Sequence, residues 1–186
     1  MKTRNTFVTL AICVLLGLTT TFFVNQHEVS AQHIADCRKI VTGTYLTTTN
    51  SGDFGSFRGI STYTRDGNLF FSSSNQGGSS FAPPFGIVQG SWKCTSDTEI
   101  TGTALNFSYK TATFPDGVGR SDFQATFDPE AETVQATITV RNFDLNANPL
   151  GDDAPISGTF TFTGQRVTPG QQRTSPPHHS YQSSTN

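Results

Sequence analysis

Charge is scarce in this sequence: Asp, Glu, Lys and Arg together make up 14% of the residues, and the formal net charge is -2. There is no basic field to hold nucleic acid and no acidic run to repel it. Histidine is missing from the body of the chain. His27 and His33 lie near its start, and His178 and His179 near its end. No imidazole base, and no Ser–His or Cys–His couple, is therefore expected inside a folded domain. The carboxylates fall mainly at turn positions such as Asp53, Asp66, Asp97, Asp128 and Asp144. That spacing gives no inward-facing pair for hydrolytic acid–base work. Asp152 and Asp153, with Asn146 and Asn148, read as a plain turn, because their spacing matches no calcium loop. No metal site and no cofactor is expected.

Long apolar runs are also absent, with one exception at the start. Lys2 and Arg4 precede an uncharged stretch from Thr6 to Val24, and Val29-Ser30-Ala31 supplies small residues where a signal peptidase cuts. Residues 1–31 read as an export signal, and the three threonines Thr19 to Thr21 argue against a permanent anchor. The expected mature protein is secreted or periplasmic, with no stable membrane insertion. Only Cys37 and Cys94 of the three cysteines then remain, and an even pair in an exported chain reads as one disulfide. Residues 32–38 read as a linker and 39–167 as the domain. Residues 168–186, rich in Pro, Gln and Ser, read as a disordered tail in which His178 and His179 are solvated.

What the chain has in quantity is Phe, Thr, Ser and Gly. Phe alone accounts for 16 residues. Phe and Thr suit pleated, half-buried surfaces, and Gly suits turns and bulges. Val134, Ala136, Ile138 and Val140 alternate with Gln135, Thr137, Thr139 and Arg141. Ile156, Gly158, Phe160 and Phe162 alternate in the same way with Ser157, Thr159, Thr161 and Thr163. Such period-two patterns predict strands with one buried face. Eight segments are expected, at 39–48, 56–64, 68–73, 86–94, 98–109, 120–128, 133–143 and 155–166. No helix is expected after residue 31. Asp66-Gly67 predicts a tight hairpin, and Asp128-Pro129-Glu130-Ala131 a type I turn.

Eight consecutive antiparallel strands close into an up-and-down barrel or split into a sandwich. Three features favour the barrel. Every connection is short enough for a hairpin. A Gly-x-side-chain phrase recurs as Gly43-Thr44-Tyr45, Gly90-Ser91-Trp92, Gly102-Thr103-Ala104 and Gly158-Thr159-Phe160. A meander also places Cys37 and Cys94 at the same end. The fold class expected is all-β: a single eight-stranded antiparallel up-and-down barrel with one disulfide.

Gly43-Thr44-Tyr45 at the start of the first strand and Gln165-Arg166 at the end of the last resemble the calycin pattern. In lipocalins, Gly-x-Trp opens the first strand, and an Arg or Lys after the last strand lies over that Trp. Tyr stands here in place of Trp, and no helix follows the last strand. The resemblance implies that Arg166 meets Tyr45 at a closed end in a cation–π contact. The chain also resembles allene-oxide-cyclase-like barrels in length and in its Gly-, Phe- and Thr-rich strands. That likeness implies isomerase or cyclase chemistry without assigning a catalytic residue.

If the apolar phase faces inward, the first half of the chain lines the interior with Tyr45, Phe71, Trp92, Phe107 and Tyr109. The second half adds Phe123, Phe127, Phe160 and Phe162. Leu69, Val88, Leu105, Val134 and Ile138 belong to the same expected lining. An eight-stranded barrel is wide enough to be filled by its own side chains or to hold one small ligand. Three functions follow: a carrier of an apolar small molecule, a cyclase using a shaped apolar cavity, or a surface interaction protein with a filled core. The sequon Asn106-Phe107-Ser108 is expected on the outer phase of strand five.

Overall fold

The computed structural model describes residues 32–170, apart from 53, 54, 81 and 152. The expected export signal, and the tail beyond Gly170, lie outside the described residues. Eight strands follow one another as β1 (Gly43–Asn50), β2 (Ser56–Tyr63), β3 (Asn68–Ser73), β4 (Val88–Cys94), β5 (Glu99–Ser108), β6 (Gly117–Asp128), β7 (Thr133–Phe143) and β8 (Ile156–Arg166). Each pairs antiparallel with its sequence neighbours, and β1 pairs with β8, so the sheet closes into an up-and-down barrel. Closure leaves no strand edge unpaired. The turns have the chemistry the sequence predicts. Gly67 takes a φ of 93° between β2 and β3. Between β6 and β7 the Asp128 carboxylate accepts from the backbone N–H groups of Glu130 and Ala131, both at 2.9 Å.

One element departs from the expectation. Residues 32–41 form a helix, α1, where a linker and the start of strand one were expected. Cys37 and Val41 stand four apart on one helical face, and both are fully buried. Ile40 packs against the same core. Helix α1 thus plugs one end of the barrel with a narrow apolar stripe. The Cys37–Cys94 disulfide fixes it to the end of β4.

The connections at this plugged end are short: 64–67, 95–98 and 129–132. Those at the other end are longer, at 51–55, 74–87, 109–116 and 144–155. The barrel therefore has a closed helix end and a loop end. Just inside the closed end, Tyr45, Tyr63, Trp92 and Phe127 meet edge to face, with ring centroids 5.4 to 6.3 Å apart. Four aromatics in that geometry fill the lumen and gain from their quadrupoles as well as from burial. Burial also pushes the Tyr63 phenol far above its ordinary value, so it stays protonated.

Glycines on the inner face let the larger rings lie flat. A Cβ at Gly59 would collide with the Phe71 ring, one at Gly102 with the Phe123 ring, and one at Gly158 with the Phe160 ring. The recurring Gly-x-side-chain phrase has this physical content at Gly158 and Phe160.

Candidate functional site

Side chains on the inner face of a closed barrel reach solvent only through its ends. Near the helix end they are sealed: Tyr45, Tyr63, Phe127 and Val134 are at most 3% exposed. Towards the loop end the same inward phase becomes partly exposed, at Phe57, Phe71, Ile138, Val140 and Phe160. Phe123 and Phe162 are buried between the two zones. The interior is thus a solid plug below and a solvent-reached cup above.

The cup has two kinds of wall. Phe57, Phe71 and Phe160 face inward from β2, β3 and β8, with Ile138 and Val140 from β7. On β5 and β6 the inward residues at this level are Asn106, Ser108 and Ser121, beside Gly117 and Gly119. The Asn106 amide lies across its pairing partner Gly119, where a Cβ would come within 2.7 Å of Oδ1. On β1, Thr47 and Thr49 are buried with no hydrogen-bond partner for their Oγ1 atoms.

The expected lining residues fall into three groups. Tyr45, Trp92 and Phe127 belong to the plug, with Phe123 and Phe162 above them. Phe71 and Phe160 reach the cup. Phe107 and Tyr109 do not line the interior at all: they are 61% and 53% exposed. The phase of β5 is the reverse of the one expected. Ile100, Gly102 and Ala104 point inward, because the Phe123 ring occupies the space in front of Gly102 and leaves no room for a large side chain. Leu105 and Phe107 consequently point outward, and Asn106 of the sequon points inward rather than out. Tyr109 lies beyond the strand against the 74–87 loop, its backbone N–H donating to the Pro84 carbonyl at 2.8 Å. Sequence reasoning missed Tyr63 in the plug and Asn106 and Ser121 in the cup. The register of β5 against Phe123 was the signal for Asn106, and the β6 alternation through Phe123 and Phe127 was the signal for Ser121.

The rim is held by charge. The Asp122 carboxylate, on the outer face of β6, accepts from Arg120 Nε at 2.9 Å, Arg141 Nη1 at 3.1 Å and Thr103 Oγ1 at 2.7 Å. The same two arginines reach the loop over 144–155: Arg120 Nη1 donates to the Pro149 carbonyl and Arg141 Nε to the Ala154 carbonyl, each at 3.1 Å. Partial burial pushes the Asp122 carboxyl up, but the bonds from Arg120 and Thr103 and the charges of Arg120 and Arg141 outweigh it and hold it low. A depressed carboxyl contributes stability above its unfolded pKa and loses it as pH falls through its folded pKa. Asp122→Asn is expected to cost about 1–3 kcal/mol near neutral pH. The gap between variant and wild type should close as pH drops below the ordinary carboxylate range. Thermal unfolding of both proteins across that range checks this, and a gap independent of pH would contradict it.

Two outer faces complete the surface. Over β5 to β8 an open groove of about 610 Å³ is lined by Thr101, Gln124, Thr126, Gln135, Thr137 and Thr161, among others. Over β1 to β5, Leu46, Ile60, Phe70, Ile87 and Phe107 are exposed. Among the described residues, no group of three His, Cys, Asp or Glu could hold a metal ion. None of the described helices is long and apolar enough to cross a membrane.

At the closed end the Arg166 guanidinium stands 5.0 Å from the centroid of the Tyr45 ring. The contact has the form that the Gly43-Thr44-Tyr45 and Arg166 pattern implies. Comparison with protein-family models, curated proteins and solved structures finds no match to this chain.

Proposed function

We propose that this is an exported, calycin-like barrel that binds one small apolar molecule in the cup at its loop end. The observation that carries the reading is the gradient of exposure along a single inward phase. Phe71, Ile138, Val140 and Phe160 are partly exposed, while Tyr45, Tyr63 and Phe127 of the same phase are buried. A concave apolar surface with a few polar groups is the usual form of a small-molecule site. Among the described residues, no Asp, Glu, His, Lys or Arg stands on the inner face above the plug. That fits holding a molecule better than converting it by acid–base chemistry, so the carrier reading is preferred to the cyclase.

Export is supported by the charged and then apolar start of the sequence and by the disulfide. A membrane-spanning barrel needs an apolar outer band around its full circumference. The Thr and Gln residues facing out from β5 to β8 argue against one.

The test is binding of a neutral naphthylamine fluorophore, whose emission rises and shifts to the blue in an apolar site. One equivalent is expected to bind. Ser121→Trp, which fills the cup, should weaken binding by about tenfold or more while the circular dichroism stays unchanged. Ile138→Phe should act in the same direction. Thr137→Trp on the outer face should bind as wild type does. Absence of binding, or loss in Thr137→Trp with Ser121→Trp unaffected, overturns the cup. The second of these results transfers the function to the outer groove, the feature that favours a surface interaction protein.

A further inference from the structure

The cup, if it binds apolar molecules as proposed above, also has a chemistry that restricts which ones. Along β1 to β8 the inward positions carry one charged side chain, Arg166. That guanidinium is engaged at the closed end by the Thr42 and Ile40 carbonyls and the Tyr45 hydroxyl. The plug of Tyr45, Tyr63, Trp92 and Phe127 separates it from the cup. Of the other charged groups near the loop end among the described residues, Asp122, Arg120 and Arg141 face outward and are paired with one another. Arg58 is exposed on β2, and Lys110, Asp116, Asp144 and Asp153 stand on the connecting loops rather than on the inner face. An ion entering the cup would give up its water and meet no countercharge, which is costly.

The polar groups that do face inward are neutral. Asn106, Ser108 and Ser121 offer both donors and acceptors from β5 and β6. On the β1 wall the Thr47 and Thr49 hydroxyls are buried with no partner. Phe57 and Phe160 flank that wall from β2 and β8, Phe57 as the pairing partner of Thr49, and Phe71 stands beyond on β3. We infer that the cup selects neutral amphiphiles: an apolar body carrying one hydroxyl or carbonyl group, in preference to fatty carboxylates or alkylammonium ions. The body lies on the phenylalanine wall, and the oxygen meets the Asn106–Ser121 wall.

The test compares dodecanol, dodecanoate and dodecylammonium as competitors for the bound fluorophore. Near pH 7, where the last two are charged, dodecanol is expected to displace the fluorophore at about a tenfold lower concentration than either ion. Dodecanoic acid should approach dodecanol as pH falls below the carboxylate range. In the Asn106→Leu, Ser121→Ala double variant, the affinity of dodecanol relative to that of the fluorophore should fall about fivefold, the worth of one hydrogen bond. Displacement by dodecanoate at the same or lower concentration than dodecanol overturns the inference and leaves the cup standing. So does a fluorophore that none of the three displaces. A fluorophore that never binds overturns the cup itself.

Discussion

Cys37→Ser, Cys94→Ser protein is expected to be about 4 kcal/mol less stable than wild type. The bond closes a separation of 57 residues, and a cross-link across so long a loop removes much of the freedom of the unfolded chain. The native consequences are concentrated at α1. Without the bond, the helix is held by Val41 and Ile40 in the core, by Arg166 on its last carbonyls, and by His33 against Asp97. That last pair is more than half exposed on both sides and adds little. A helix of this length has almost no stability of its own in water. Once undocked it would expose the barrel end that Cys37 and Val41 cover. The measurement is urea unfolding of wild type and variant, with reduced wild type as a second route to the same state. A melting temperature lower by about 10 °C or more should accompany the change. A loss under about 1 kcal/mol would mean that packing alone seats α1.

The barrel was legible in the sequence because its strands alternate cleanly. In β7, Val134, Ala136 and Ile138 point inward while Gln135 and Thr137 point outward, and one period decides the whole segment. The turns were legible for the same reason: Asp66-Gly67 and Asp128-Pro129 have local chemistry that no tertiary contact has to supply. Helix α1 was not. Its stripe consists of Cys37, Val41 and Ile40, a small buried face on ten residues, among neighbours as polar as a linker. Only the barrel end waiting to be covered makes it a helix.

The cup was legible in part. The rule that apolar residues face inward succeeded for Phe71 and Phe160 and failed in β5, where Leu105 and Phe107 look more apolar than Gly102 and Ala104. Interior space was already taken by Phe123, so the small residues had to face it. Hydrophobicity alone does not record who fills the lumen first; that depends on cross-strand register. In β1 the strand period decides instead of hydrophobicity. Thr47 and Thr49 face inward because Tyr45 does, and strand geometry leaves them no other side.

Arg166→Leu is expected to cost about 3–5 kcal/mol, as much as the disulfide and at the same end of the barrel. The guanidinium donates from Nη1 to the Thr42 carbonyl at 2.7 Å and from Nη2 to the Tyr45 hydroxyl at 2.6 Å. It also donates from Nη2 to the Ile40 carbonyl. These carbonyls lie at and just beyond the C-terminus of α1, where backbone acceptors lack helical partners and a cation is favoured. A Cβ at position 43 would meet Arg166 Nη1 at 2.5 Å, so Gly43 is what lets the guanidinium in. One side chain from the end of β8 thus ties down the helix end and the start of β1. Arg166→Lys should recover less than half of the loss, because an ammonium group cannot donate to both carbonyls while stacking on the ring. Tyr45→Phe keeps the ring and should cost about 1 kcal/mol. The double variant with Arg166→Leu should then show coupling of about 0.5–2 kcal/mol. Chemical unfolding of the four proteins measures it. If Arg166→Lys is as stable as wild type, the carbonyls are not what the arginine is there to satisfy, and closure of this end rests on the aromatic plug and the disulfide alone.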